Sequence, residues 1–180
     1  MALLTALAVL ILSAGVAQAD RKVYLKGAGG PTEMALTTGG AVRGLGIDIS
    51  LAAGISLGSS WAFYGEVFNM GTIRGLSSKE ITCDDCNVSL SGGLVPGVGA
   101  AYYTPGGYNV HLTFHLPKAA LTVYDIKLLE TARGKAAYFT FGKDWLTQGI
   151  GLGYAIKVGM TRIEGLNVGS ISLLFTVSRR

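Results

Sequence analysis

The stretch Val42–Leu57, VRGLGIDISLAAGISL, alternates between two kinds of side chain. The odd positions from 45 to 57 are Leu, Ile or Ala, whereas the even positions from 44 to 56 are Gly, Ser or Ala, with a single Asp48. Successive side chains of a β-strand point to opposite faces, while the apolar residues of a helix recur about every 3.6 positions. The period of two therefore predicts a strand with one bulky apolar face and one face of small or polar side chains.

The same alternation recurs along the rest of the chain and predicts eight strands in all. The phase slips at Pro117, as expected where a bulge interrupts a strand, because proline has no N–H for the ladder. Phe68 is a second exception, since it falls on the small and polar face of its strand. The other seven predicted strands cover residues 22–30, 61–70, 88–103, 108–123, 135–145, 150–160 and 168–178.

The links between the predicted strands alternate between short and long. The short turns are residues 58–60, 104–107 and 146–149. The long links are predicted at residues 31–41, 71–87, 124–134 and 161–167. Short turns at one end and long loops at the other are typical of up-and-down barrels of bacterial outer membranes, where the short turns lie in the periplasm.

The side on which the bulky residues lie distinguishes two kinds of barrel. A soluble ligand-binding barrel is polar outside and apolar inside, whereas a membrane barrel turns its apolar face to lipid. Eight strands leave an interior just wide enough for side chains, which accounts for the 27 Gly among 180 residues. We therefore predict an all-β, eight-stranded antiparallel up-and-down transmembrane β-barrel, with a soluble barrel or sandwich as the alternative.

Residues 1–19 have the composition of an export signal. They are almost entirely apolar and end in Ala17-Gln18-Ala19, a small-x-small cleavage pattern. We predict a signal peptide at 1–19 and an outer-membrane β-barrel at 20–180 in a Gram-negative bacterium, with a retained membrane helix as the alternative. The net charge of +4 comes from scattered Lys and Arg, which excludes nucleic acid as a partner.

Four aromatic residues of the apolar face lie next to the short turns. Trp and Tyr concentrate where a membrane meets water. We predict that Trp61, Tyr102, Tyr108 and Trp145 form an interface aromatic girdle at the periplasmic rim, with outer-membrane lipids as partners.

Five ionisable residues fall on the interior face of their strands: Asp48, Glu66, His111, His115 and Lys157. An unpaired charge is costly in a narrow lumen, so we expect this lumen polar cluster to form a plug of salt bridges and hydrogen bonds. A path for protons or small solutes is the alternative. His111 and His115 lie ~13 Å apart along one strand, too far to share a metal ion. Neither a metal nor a cofactor is expected.

Cys83 and Cys86 are the only cysteines. In an exported protein we predict a disulfide between them, because two thiolates without further Cys or His nearby leave a zinc ion under-coordinated. A redox-active pair is the alternative, but that motif normally opens a helix, and no helical pattern follows here.

Several segments resemble the small eight-stranded outer-membrane β-barrel proteins, and within them the Gly-rich barrels of myxobacterial type. These segments are GIDISL (46–51), FYGE (63–66), GVGAAYY (97–103), GKDW (142–145) and GLG (151–153). The resemblance implies a barrel fold and an outer-membrane location rather than a chemistry.

The function predicted from these features is a structural or surface-interaction role without catalysis, in a monomer whose long links bind a surface ligand. A narrow pore for small solutes is the first alternative. A lipid-modifying hydrolase is the second, because His111, Thr113 and His115 resemble the His-x-Ser arrangement of outer-membrane lipid A deacylases. By their phase these residues point to the lumen, whereas a deacylase site must face lipid.

Overall fold

The computed structural model describes residues 21–36, 42–70, 74–77, 88–92, 94–123, 126–147, 150–163 and 166–179, and the regular elements in these ranges are β-strands. They are β1 (Arg21–Leu36), β2 (Val42–Leu57), β3 (Trp61–Met70), β4 (Arg74–Ser77), β5 (Val88–Gly92), β6 (Leu94–Tyr103), β7 (Tyr108–His115), β8 (Lys118–Val123), β9 (Ile126–Thr147), β10 (Ile150–Ile163) and β11 (Leu166–Arg179). In the part of the chain described, no helix is long and apolar enough to cross a bilayer.

The eleven segments form eight antiparallel strands that close into a barrel. β3 and β4 both pair with β2, so they act as one interrupted strand. β7 and β8 both pair with β9 and form a second interrupted strand. β5 pairs with β8 and β6 pairs with β7, so β5 and β6 form a third. The ring closes because β1 pairs with both β2 and β11, and β10 pairs with both β11 and β9. The predicted eight-stranded antiparallel barrel is confirmed.

The two ends of the barrel differ less than the sequence predicts. At the short-turn end, residues 58–60 and 104–107 join strands as predicted, whereas the turn predicted at 146–149 was too long, because residues 146 and 147 belong to β9. At the opposite, long-link end, three predicted links were too long, because residues 31–36, 126–134 and 161–163 belong to strands. β4 (Arg74–Ser77) likewise lies within the fourth predicted link, 71–87, whose other residues are outside the described ranges.

Residues 31–36, PTEMAL, were predicted as part of a link but continue β1 and keep its alternation. Thr32 and Met34 are buried inside the barrel, while Pro31 and Glu33 are exposed outside. Pairing with β2 runs through Pro31, whose Cα partner is Ile47. Pairing with β11 lapses at Gly30 and Pro31 and resumes at Thr32, because proline has no N–H to donate.

The strand is interrupted at Pro117, between β7 and β8, but the predicted phase slip lies farther along the chain, because the register against β9 shifts between Ala119 and Thr122. Leu116 N–H donates to the Pro96 carbonyl at 3.4 Å, and Gly134 N–H donates to the Pro117 carbonyl at 2.8 Å. These bonds carry the ladder across the irregularity, so β9 continues unbroken beside both segments.

The two faces of the wall have the polarity of a membrane barrel. Bulky apolar side chains cover the outside, with Leu45 and Phe175 72% and 75% exposed. The inside carries small and polar residues and also aromatic rings, which were not predicted there as a group: Tyr24, Tyr64, Phe68, Tyr103 and Tyr138. An apolar surface of this extent is stable against hydrocarbon rather than against water.

Glycines beside the interior rings explain part of the glycine surplus. A Cβ on Gly159 would lie 2.1 Å from Cδ1 of Tyr138, and one on Gly99 would lie 2.7 Å from the ring of Tyr64. The space that these two glycines leave is therefore filled by tyrosine rings from neighbouring strands.

Position along the wall sets the expected effect of a charge on the outer face. Ile156 pairs with Phe141 in the middle of the apolar band, whereas Leu152 pairs with Trp145 beside the short turns. Ile156→Arg should lower the free energy of unfolding in lipid vesicles by about 2–4 kcal/mol, and Leu152→Arg by about 0–1 kcal/mol. Urea titration followed by tryptophan fluorescence measures both. Equal losses at the two positions would show that the apolar band is misplaced.

Candidate functional site

The structure directs all five residues of the lumen polar cluster into the barrel. Asp48 lies on β2, Glu66 on β3, His111 and His115 on β7, and Lys157 on β10. Asp48, His111, His115 and Lys157 are 5% exposed or less, and the Glu66 side chain is 9% exposed. They do not form one site, because the interior divides into separate groups of contacts.

The Lys157 cluster comprises Lys157, Asp48, Ser172, Phe68 and Tyr138. The Lys157 ammonium lies 3.1 Å from Asp48 Oδ2, and its Nζ is 4.5 Å from the ring centre of Phe68 and 4.6 Å from that of Tyr138. The Ser172 hydroxyl is 3.0 Å from the same Asp48 oxygen. A carboxylate and two ring faces thus replace the water that a buried ammonium loses.

Glu66 and His115 form a weaker pair beside this cluster. His115 Nε2 lies 3.6 Å from Glu66 Oε2, beyond hydrogen-bond distance, and neither ring nitrogen has a hydrogen-bond partner among the described residues. The imidazole packs edge-on against Phe68 and Tyr138, with ring centres 4.8 and 5.6 Å away. His115 is therefore held mainly by aromatic packing.

The His111 cluster comprises His111, Lys26, Tyr64, Asn109 and Tyr103. Lys26 Nζ lies 2.8 Å from His111 Nε2, and the Tyr64 hydroxyl lies 2.9 Å from His111 Nδ1. An ammonium can only donate and an amide oxygen can only accept, so Lys26 and Asn109 Oδ1, which both lie beside Nε2, favour opposite tautomers of the ring. Asn109 Oδ1 is 3.1 Å from Nε2, and the Tyr103 ring contacts the imidazole edge-on.

The Asp144 cluster, near the short-turn end, comprises Asp144, Thr176 and Ser178. The hydroxyls of Thr176 and Ser178 donate to the two carboxylate oxygens at 2.8 and 2.9 Å. Asp144 makes no ion pair with any residue whose position the structure describes. Asp144 and Lys26 were not predicted as interior residues. Asp144 lies between the outward Lys143 and Trp145, so strict alternation would have directed Asp144 inward.

A small cavity with a volume of about 20 Å³ lies between these groups. Its polar lining is contributed by Lys26, Ser50, Tyr64, Glu66, His111, Thr113, Thr140 and Lys157. A cavity of this size has room for about one water molecule. Side chains therefore leave little room for water in this part of the lumen.

The geometry does not join His111, Thr113 and His115 into a hydrogen-bonded nucleophile and base. Thr113 Oγ1 makes no hydrogen bond to a described residue, so neither His111 nor His115 is positioned to take its proton. All three side chains are buried inside the wall and face away from lipid. Among the described residues, no group of three or more His, Cys, Asp and Glu side chains could hold a metal ion.

The four residues predicted to form the aromatic girdle project outward at the short-turn end. Trp61, Tyr102, Tyr108 and Trp145 are 41–51% exposed. The ring centres of Trp61 and Tyr102 are 5.0 Å apart. Lys143 Nζ lies 4.7 Å from the ring centre of Tyr108 and 5.6 Å from that of Trp145, so its charge rests on two of the predicted girdle rings.

Two predictions fall outside the described residues. The signal peptide at 1–19 and the disulfide between Cys83 and Cys86 both lie in ranges whose structure is not described. They stay predictions from the sequence.

The barrel is similar to small outer-membrane β-barrels of known structure. Neisserial surface protein A is 14% identical over 88% of this chain and 97% of its own, with a TM-score of 0.58. Ail, the attachment invasion locus protein of Yersinia pestis, in complex with the heparin analogue sucrose octasulfate, is 7% identical over 87% of this chain and 99% of its own, with a TM-score of 0.62. No protein-family model and no curated protein sequence matches the chain. The likeness is one of fold.

Removing one member of the buried ion pair should be costly. Lys157→Met leaves Asp48 charged and buried, and should lower the free energy of unfolding in vesicles by about 3–5 kcal/mol. The double variant Asp48→Asn/Lys157→Met carries neither charge and should lose less than the sum of the two single variants. Urea titration of Lys157→Met, Asp48→Asn and the double variant, each compared with the original chain, forms a double-mutant cycle.

Lys143→Met is the matched control, because this lysine also lies over two aromatic rings but at the outer rim. It should lower the free energy of unfolding by about 1 kcal/mol or less. Additive losses in the double-mutant cycle, or an equal loss in the control, would contradict the coupling between Lys157 and Asp48.

Proposed function

We propose that this chain is a non-catalytic barrel of the bacterial outer membrane, sealed by its own side chains, that acts at the cell surface through its long-link end. The observation that carries the proposal is the contrast between an apolar exterior and an interior packed with polar and aromatic side chains, where the cavity between the clusters has a volume of about 20 Å³. A wall facing lipid and a filled lumen leave the ends of the barrel as the parts available to partners.

The outer-membrane location is supported by three features. Closed barrels are, with helices, the structures that satisfy all backbone hydrogen bonds inside a bilayer. The predicted signal peptide at 1–19 would direct export. The predicted girdle of Trp61, Tyr102, Tyr108 and Trp145 has the composition of the aromatic bands that flank such barrels. Membership of the Gly-rich myxobacterial-type group remains part of this proposal, resting on the sequence resemblance alone.

A surface-interaction role fits the two structural neighbours, one named a surface protein and the other an attachment invasion locus protein. In this chain the long-link end carries the segment 71–87, and loops held on a rigid barrel are common sites of binding. The filled lumen disfavours a pore for solutes. Thr113, without a hydrogen-bonded base among the described residues, disfavours a hydrolase.

The surface exposure of the long-link end is tested by inserting an epitope tag between Lys79 and Glu80 and, in a second variant, between Gln148 and Gly149. Antibody should label intact cells of the first variant, and should label the second only after the outer membrane is permeabilised. Heat-modifiable gel mobility controls for folding of both. Labelling in the reverse pattern, or of neither variant when folded, would refute the proposed role.

The sealed lumen predicts electrical silence. Purified chain incorporated into planar lipid bilayers should produce no stepwise current, because about one water molecule is all that the described cavity accommodates. A large porin in the same bilayers serves as the positive control. Reproducible steps from the folded protein would replace the sealed barrel with the narrow pore.

A further inference from the structure

Three basic side chains project together from the outer wall near the long-link end. Arg133 and Lys135 lie on β9 and Arg162 lies on β10, and all three are exposed. Lys135 and Arg162 are direct cross-strand partners. Arg133 is two residues farther along β9, and therefore on the same face. We call these residues the basic wall cluster.

The basic wall cluster is unfavourable unless an anion lies near it. Like charges placed directly opposite one another on neighbouring strands are destabilising. Among the carboxylates whose side chains the structure describes, none makes an ion pair with any of the three. The charges are therefore not balanced by the described part of the wall, and their proximity suits a ligand with more than one negative charge.

The height of the cluster on the wall indicates where that ligand lies. From Trp145 to Lys135, β9 advances ten residues, which is ~33 Å along the strand, or ~25 Å along the barrel axis at a tilt of ~40°. This matches the ~25 Å height of the apolar band in outer-membrane barrels. The cluster therefore lies at the opposite border of the band from Trp145, at the level of lipid headgroups.

The wall between the two borders is apolar. Along β10, Ile156, Val158 and Met160 point outward below Arg162, and on β9 Phe139 lies opposite Val158. A lipid whose acyl chains lie on these side chains has its headgroup beside the three cations. A soluble polyanion has no apolar part to contact these outward side chains, so a lipid is favoured as the occupant.

We propose that the basic wall cluster binds the phosphate groups of a phosphorylated lipid headgroup in the outer leaflet of the membrane. The two guanidinium groups each present a fork of N–H donors that matches phosphate oxygens, and the Lys135 ammonium adds a point charge. This inference goes beyond the surface role proposed above, which concerns the links rather than the wall. It gives the barrel a fixed lipid contact on the β9–β10 side.

The test uses the purified full chain in detergent micelles and native mass spectrometry to count bound lipid. The probes are lipid A with two phosphates and the same lipid without phosphates. The phosphorylated lipid should bind and the other should not. Lys135→Gln/Arg162→Gln should weaken binding by roughly tenfold or more, because it removes two charge-assisted contacts. Arg179→Gln, an exposed arginine at the short-turn end, is the matched control and should leave binding unchanged.

Heat-modifiable mobility verifies that the variants are folded. Equal binding of the two lipids, or equal loss in the Arg179 control, would overturn the proposal. A third arm adds sucrose octasulfate or inorganic phosphate as competitor. Displacement of the lipid only at a large molar excess supports the lipid site, whereas preferential binding of the sulfated sugar would assign the cluster to a polysaccharide. The purified protein is used throughout, so these results are independent of which end faces the medium in cells.

Discussion

The structure depends on closing the backbone hydrogen-bond ladder into a ring. Inside hydrocarbon an unpaired N–H or C=O has no water to bind, and each one left open costs several kcal/mol. The N-terminal strand β1 meets this requirement by pairing with the C-terminal strand β11, and β9 and β10 complete the circle. Once the ring is closed, the alternation of side chains assigns every residue to lipid or to the interior, and the chemistry of each face follows.

The interior is stabilised by local neutralisation rather than by a single core. Lys157 is matched by Asp48 and two ring faces, His111 by Lys26 and Tyr64, and Asp144 by two hydroxyls. These contacts leave little space for solvent, although His115 and the Thr113 hydroxyl have no hydrogen-bond partner among the described residues. Side-chain packing of this kind supports the proposed surface role rather than the narrow pore.

The sequence alone predicted the closed barrel and the inward direction of Asp48 and Lys157, because the alternation of a strand can be recognised without knowing which strands pair with it. It failed where composition imitated a loop, as in residues 126–134, whose mixture of Glu, Lys and Arg suggests solvent although the backbone stays paired. The grouping of interior residues could not be predicted either. Whether Lys157 meets Asp48 or Glu66 depends on stagger between strands 109 or 91 positions apart, which no local pattern encodes.

Trp61 and Trp145, the two tryptophans of the chain, both project at the short-turn end. They therefore sample a single depth of the bilayer. When the denatured chain is diluted onto preformed vesicles, the fluorescence of the two tryptophans reports how the short-turn end adsorbs to and enters the bilayer. Passage of the long-link end across the bilayer causes no tryptophan fluorescence change of its own. Insertion kinetics read from intrinsic emission would record only the first half of membrane assembly, and a reporter at the far end would be required to time the second.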